Sequence, residues 1–560
     1  MTINPFTLEV LRNKFDTITE EMQTVLRRSA YSSIIKEAND AGNTIFTVKG
    51  ELVSQSPGCP SFLGMMIPAI QRILELFPPT EMKEGDIFIM NDPYEGGTHL
   101  PDITILMPII HDSEMMAVNA CIAHQSDMGG KFPGSKPMDA TEIFQEGIII
   151  PPLKLYDQGK VNHTLYKILE KNTRLFNIVG KDIEAMLAAC RIGRRRVLSL
   201  CQQYGKDIIL QCMAELLDRS ELMTRKEIER IPDGTYSAVE YVDHDGVEVD
   251  KLIKIKVSVT IKGTDMTVSF NGTNPQTKGP ANSTPGSTMA SVYFSFRCIT
   301  DPFLTIHNNA GCFRPIKLII PKGSVINPLP PAPVNARMPT VAAVANAFLQ
   351  AMSTALPAKV PATSGFAGSP GFSGVDPLTG ERFAFMDFLC AGVGANPIGD
   401  GVDGRSAVMN SCLNIPTEVI EMNFPIRVKK FSLWQDSGGA GKYQGGNGII
   451  KVYEVTRGEV TIFHQNNYQK TAPSGIYGGE PSRKQETYIL RNNGDKEPVS
   501  SKAMNILHAG DKLAIYVPGG GGFGKPKKRA PEAIKQDLID GKISKAMAKE
   551  HYGFVMKSVC

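Results

Sequence analysis

The sequence predicts a multi-domain, loop-rich α+β protein. Three observations carry this. The chain has 560 residues, too long for one hydrophobic core and enough for roughly two to four domains. Its 52 glycines and 38 prolines gather in repeated turn-like clusters, which argues against a helical bundle. Helical periodicity in the first part gives way near Ile231 to strand-like alternation. Three regions follow: 1–230, an N-terminal α/β region that carries the candidate metal ligands; 231–530, β-rich with inserted helices; and 531–560, a C-terminal helix and tail.

The elements can be justified in order. Pro5–Arg28 reads as an amphipathic helix, with Leu8, Leu11, Phe15, Ile18, Met22 and Val25 three or four apart on one face. The polar turn Lys36–Asn43 leads into a strand over Thr44–Val48, and Gly64–Phe77 is a second amphipathic helix. Ile103–Ile110 and Met116–Ile122 are apolar runs of strand length, bounded by turn residues, and read as buried strands. Glu146–Pro152 holds loops and a short strand. Asn172–Leu217 is mostly helical, with Arg194-Arg195-Arg196 on a solvated face. Thr235–Ile261 and Met266–Phe270 alternate as strands around a Gly263-Thr264 turn. Ala281–Thr300 and Thr340–Leu356 are helices, Gly365–Gly374 is a mobile glycine-rich loop, and Phe431–Val460 and Glu486–Val517 are strands. Lys525–Arg529 reads as a solvated basic turn and Glu532–Ala548 as a closing helix.

Composition excludes several functions. A hydrophobic fraction of 42%, a charged fraction of 21% and a net charge of +3 are ordinary for a globular protein and give no reason to expect nucleic acid. Ten cysteines without a C-x-x-C pair, and an N-terminus without a signal-peptide pattern, predict reduced thiols and a cytoplasmic protein. No apolar run approaches the ~18 residues of a membrane span. Gly519–Gly524 fits G-x-G-x-x-G, but Pro526 stands where a P-loop needs Ser or Thr, and the following prolines cannot open a helix. No G-x-S-x-G elbow occurs. Cys121 has apolar flanks and reads as a buried structural thiol. His111, His244 and His464 read as structural.

The chemistry concentrates in Asn91–Asp102, which ends Gly96-Gly97-Thr98-His99-Leu100-Pro101-Asp102, and in Ala123-His124-Gln125-Ser126-Asp127 downstream. Imidazole and carboxylate are the ligands a borderline divalent metal takes. Two neighbouring strands could deliver His99, Asp102 and His124 from their ends to one point. Gly96-Gly97 allow a tight backbone approach just before His99. Ordinary loop histidines are the competing reading. Asp40 is either a turn residue or a fourth ligand.

Asn91–Asp102 resembles the hallmark of the hydantoinase B family. That family includes one half of 5-oxoprolinase, lactamase-type B subunits, and the α subunits of acetone and acetophenone carboxylases. Further matches are Ala123–Gly130, Pro133-Gly134-Ser135, Gln145-Glu146-Gly147, Ala188–Arg191, Asp436–Gly441 and Pro518–Gly524, so the resemblance covers nearly the whole chain. It implies that His99, Asp102, His124 and Asp40 hold one divalent metal, Zn or Mn before Fe. Asn39 stands just before Asp40 where many relatives carry Arg. It also implies a hydantoinase A-type partner subunit that binds ATP and Mg, in a heterotetramer.

The function so implied is the metal-dependent subunit of an ATP-dependent cyclic amide hydrolase, opening a lactam or hydantoin ring that the partner has phosphorylated. Asp127 would orient a ligand or carry a proton, or else cap a turn. Asn91 and Arg337 would contact substrate or phosphate. The alternatives are the α-type subunit of an ATP-dependent ketone carboxylase, a non-haem Fe(II) oxygenase, and a structural subunit with an idle site.

Overall fold

The computed structural model describes residues 3–62, 64–405 and 408–555; the tail to Cys560 lies outside them. The first sheet has seven strands: β1 (Ala41–Thr47), β2 (Leu52–Gln55), β3 (Ile87–Met90), β4 (Asp102–His111), β5 (Glu114–His124), β6 (Leu153–Asp157) and β7 (Lys160–Val161). Their order is β2-β1-β5-β4-β3-β6-β7. The two apolar runs recognised in the sequence are the central hairpin β4–β5, buried at nearly every position. Continuous apolar runs suit a strand covered on both faces. Helices Pro5–Ser29 and Phe176–Tyr204 pack on each other and on this sheet. The first buries Leu8, Leu11, Phe15, Ile18 and Met22 as its periodicity predicts, but ends the stripe with Leu26 rather than Val25.

The helical stretch expected as one piece is broken by Gly205, at φ 88°, into Phe176–Tyr204 and Lys206–Glu229. Arg194 and Arg196 pair with Glu84 and Glu21 on the surface, as a solvated face should. No helix among the described residues is long and apolar enough to cross a membrane.

Strands Gly234–Val242, Ile253–Lys262, Asp265–Ser269 and Ile316–Ile319 form a four-stranded sheet. Helix Met338–Ser353 packs on it and also on helix Pro285–Thr300. One hydrophobic cluster runs from Ile3 to Val360 and takes in Met386, Phe388, Met409, Cys412 and Phe463. A second occupies the C-terminal sheets, one of four strands and one of five, around Phe372, Tyr453, Ile462 and Ile515. A third holds the C-terminal helices, around Ala440, Ile534 and Tyr552.

Three expectations are corrected here. Gly365–Gly374 is not a mobile loop: nearly all of it is buried, and Ser369–Val375 is a strand between two others. Its glycines are required by contact, since a Cβ on Gly371 would lie 1.8 Å from the ring of Phe463. The basic turn is not wholly solvated. Arg529 is buried and bonds bidentately to Asp400 at 2.7 and 2.8 Å, and to Asp537 at 2.6 Å. The closing helix is two helices, Pro531–Ile539 and Lys545–Glu550, separated at Gly541, where φ is +70°.

Glycine also builds a layer made of main chain. Gly520 N–H donates to Gly446 O at 2.9 Å, Gly446 N–H to Val393 O at 2.9 Å, Gly439 N–H to Gly520 O at 2.8 Å, and Gly521 N–H to Thr363 O at 2.8 Å. The amides of Gly520, Gly521 and Gly522 thus bond to other backbone segments, which accounts for this loop without a nucleotide. Gly445→Ala would put a methyl 1.9 Å from Gly520 O. We expect it to destabilise the chain by about 3 kcal/mol or more. Gly494→Ala, with φ +96° and nothing within 4 Å of a new Cβ, should cost only about 1–2 kcal/mol. Thermal melting of the two variants side by side checks the order.

Candidate metal centre

Strand register assembles the centre. Pairing of β4 with β5 sets Asp102 directly opposite His124 at the sheet's end. Pairing of β1 with β5 brings Ala41 opposite Ala123, so Asp40 arrives beside His124, whose N–H donates to Asp40 O at 3.2 Å. Asp102 N–H donates to His99 O at 2.9 Å, a turn that folds the first histidine back over the strand it precedes. The approach is tight, as the glycine pair foretold. A Cβ on Gly96, at φ 102°, would lie 2.6 Å from the backbone of Pro68 and Ala69, and one on Gly97 would lie 2.7 Å from Asp92 O.

The side chains converge. His99 Nε2 is 2.9 Å and His124 Nδ1 3.0 Å from the same oxygen, Asp102 Oδ1. The imidazole centroids are 4.9 Å apart. All three residues are buried. The other carboxylate oxygen, Oδ2, accepts from Thr98 Oγ1 at 2.5 Å and from Arg337 at 2.8 Å. Asp40 Oδ2 lies 3.9 Å from His124 Nδ1. Asp40, His99, Asp102, His124 and Arg337 line one small cavity of about 40 Å³ with Lys136, Cys59 and Cys412.

The hydrogen-bond network assigns the tautomer of His99. Asn335 Nδ2 donates to Ser135 O, which turns Asn335 Oδ1 towards His99 Nδ1 at 3.0 Å. An amide oxygen only accepts, so Nδ1 carries the proton and Nε2 is bare. Burial first, then Arg337, pulls the His99 pKa down to about 3, so the ring is neutral. A bare nitrogen then faces a carboxylate oxygen at 2.9 Å with no proton between them. Two lone pairs at that distance repel unless a cation sits with them. The donor set therefore fits a divalent ion of the zinc–manganese–iron range.

The neighbouring charges are also shifted. Burial opposes Asp102's charge, but the Arg337 guanidinium and the hydrogen bond with His124 hold its carboxyl well below the usual range. Asp40 is pushed up to about 6 by burial, although His124 acts in the other direction. Lys136, buried among these groups, is pulled down to about 8 by burial and by Arg337. Glu146 is pushed up to about 8 by burial while its carboxyl accepts from the amides of Val334 and Asn335.

Of the residues expected from sequence, His99, Asp102, His124, Asp40 and Arg337 are brought together. Asn91 and Asp127 are not. Asn91 Nδ2 donates to Leu100 O at 2.8 Å and Ile148 O at 3.0 Å, and its Oδ1 accepts from Ile150 N–H at 2.6 Å. It clamps two loops. Asp127 accepts from Gly129 N–H and Ser135 Oγ, both at 3.1 Å, and from Arg174 N–H at 2.8 Å. It faces a separate cavity of about 480 Å³. Its link to the centre is indirect, through Ser135 and Asn335 to His99. Asn335, Lys136, Cys59 and Cys412 were missed. Cys121 is buried as predicted, which holds its thiol well above its usual pKa, and His244 and His464 bond to Ser500 and Thr487.

Residues 4–526 match the hydantoinase B/oxoprolinase family. The chain belongs to that family. A relative of this kind, caprolactamase subunit beta of Pseudomonas jessenii, is 29% identical over 99% of this chain and 97% of its own. The crystal structure of ATP-dependent caprolactamase from Pseudomonas jessenii superposes with a TM-score of 0.92 at 28% identity, over all of this chain and 97% of that one. A nucleotide-free acetone carboxylase structure shares the fold, with a TM-score of 0.91 at 20% identity over 99% of this chain and 80% of that one. Within this hydantoinase B-type fold Asn91 is a structural clamp. Asn91→Ala removes three hydrogen bonds, two of them buried, and should destabilise the chain by about 2–4 kcal/mol, measurable by thermal melting.

Proposed function

We propose that this chain is the metal-dependent subunit of an ATP-dependent cyclic amide hydrolase, opening a lactam or hydantoin ring phosphorylated on its carbonyl oxygen by a partner subunit. The observation that carries the reading is the bare Nε2 of His99 set 2.9 Å from Asp102 Oδ1, with His124 on the same oxygen. His99, Asp102, His124 and Asp40 would hold the ion, with Zn or Mn favoured by the donor types and Fe also compatible.

When bound, such an ion supplies a water acidic enough to ionise near neutral pH. The chain's own residues prepare the rest. Amide resonance makes the ring carbonyl a poor electrophile, and phosphorylation of its oxygen removes that resonance and creates a leaving group. Arg337 and Lys136 place two cationic groups on the cavity wall, where phosphoryl oxygens would be recognised. Arg337 Nε is buried without a hydrogen-bond partner. Asp40 would lend its carboxylate to the ion beside His124. Lys136, near 8, is suited to give a proton to the departing ring nitrogen. Asn335 fixes the imidazole of His99.

The partner would be a hydantoinase A-type subunit holding ATP and Mg, in a heterotetramer. The relative named as a beta subunit supports a heteromeric assembly. A ketone carboxylase α-type role is the second reading, supported by the shared fold with acetone carboxylase. A requirement for bicarbonate separates the two.

His99→Ala and His124→Ala, assayed with the partner subunit for ATP-dependent ring opening, should each lose activity by roughly a hundredfold or more and lose bound metal. Activity and metal at the wild-type level would end the proposal. Asn335→Leu should weaken metal affinity by about 10–100-fold, read by competition with a chelator, while leaving the fold intact by circular dichroism.

A further inference from the structure

The centre has a second set of donors on its far side. Asp40, Cys59 and Cys412 each offer one ligand atom, and these atoms all lie within 4.8 Å of one another. They come from three segments remote in sequence, held in place by hydrogen bonds to main-chain carbonyls. Asp40 N–H donates to Ile34 O at 3.0 Å, Leu413 N–H to Ala38 O at 3.0 Å, and Ser411 Oγ to Gly58 O at 3.0 Å. Cys412 N–H is held by Asn410 Oδ1 at 2.8 Å. Both cysteines are buried reduced thiols. They line the same cavity as His99, Asp102 and His124.

We propose that Asp40, Cys59 and Cys412 form a second metal site, selective for a thiophilic divalent cation of the zinc class, with Asp40 as the carboxylate between the two ions. Three protein donors and one open position form the ligand number of a zinc site that keeps an exchangeable place. Thiolate sulfur discriminates against manganese and magnesium. Asp40 Oδ2 is 3.9 Å from His124 Nδ1, so its carboxylate reaches both donor sets, and paired ions in such centres sit about 3.5–4 Å apart. Arg337 and Lys136 on the cavity wall offset the negative charge that two thiolates and two carboxylates would bring. The inference rests on the reading above only in taking the first ion from it.

The experiment uses the purified full-length chain, stripped with a chelator and titrated with Co²⁺. Bound metal is counted by elemental analysis, and thiolate ligation is read from the sulfur-to-cobalt charge-transfer absorption. Wild type should bind two ions and show the band. The double variant Cys59→Ser/Cys412→Ser should bind one ion and lose the band, and His99→Ala/His124→Ala should keep it. A wild-type chain with one ion and no band, or a cysteine variant with undiminished stoichiometry, overturns the second site. If the serine variant does not fold, alkylation of wild type followed by mass spectrometry decides. Zn²⁺ should slow modification of Cys59 and Cys412 at least tenfold, and unchanged rates overturn the proposal. A band that persists while the histidine variant loses no ion would instead count against the first site.

Discussion

The register between β4 and β5 is the constraint on which the centre depends. Side chains alternate along a strand, so a slip of one residue would turn Asp102 and His124 to opposite faces of the sheet. The register is held by continuous burial of Ile103, Ile105, Leu106, Ala117, Val118, Ala120 and Cys121, apolar residues that no shifted pairing would seat equally well. Alignment of one carboxylate with one imidazole is thus a product of the hydrophobic core. The third strand, β1, brings Asp40 in by the same means.

Around that frame the structure concentrates charge where solvent cannot reach. Asp102 shares one oxygen between two imidazoles and gives the other to Thr98 and Arg337. A buried carboxylate is stable only when its lone pairs are engaged: Thr98 and Arg337 engage Oδ2, while Oδ1 faces the unprotonated Nε2 of His99, a place that a cation would fill. The same engagement fixes direction. A guanidinium holding Oδ2 leaves Oδ1 pointing between the histidines, and Asn335 keeps His99 from turning away. Asp127 contributes at a distance by holding the loop that presents Ser135 to Asn335.

The histidines and Asp102 were legible because their spacing is local and their strands announce themselves by apolar runs. Asn335, Lys136, Cys59 and Cys412 were not, because nothing near them in sequence says which cavity they share; residues as far apart as 59 and 412 meet only through tertiary packing. Asn91 stood in the most informative motif and still proved to be a clamp, since sequence cannot reveal that three backbone groups already occupy its amide. Glycine misled in both directions. It ended helices at Gly205 and Gly541 without being read as a stop, and over Gly365–Gly374 it suggested looseness where the chain is buried. Arg529 was hidden in a run of lysines whose members remain exposed.

The glycine layer bears on the order in which this protein can be made. Its segments, near Thr363, Val393, Gly439 and Gly520, are joined by main-chain bonds and have almost no side-chain attraction of their own. Glycine also surrenders more conformational freedom than any other residue when it is immobilised. Such a layer cannot nucleate; it can close only after neighbouring sheets have brought its distant pieces into line. Folding of this chain should therefore end with the closure of that seam, once the sheets on either side of it have formed.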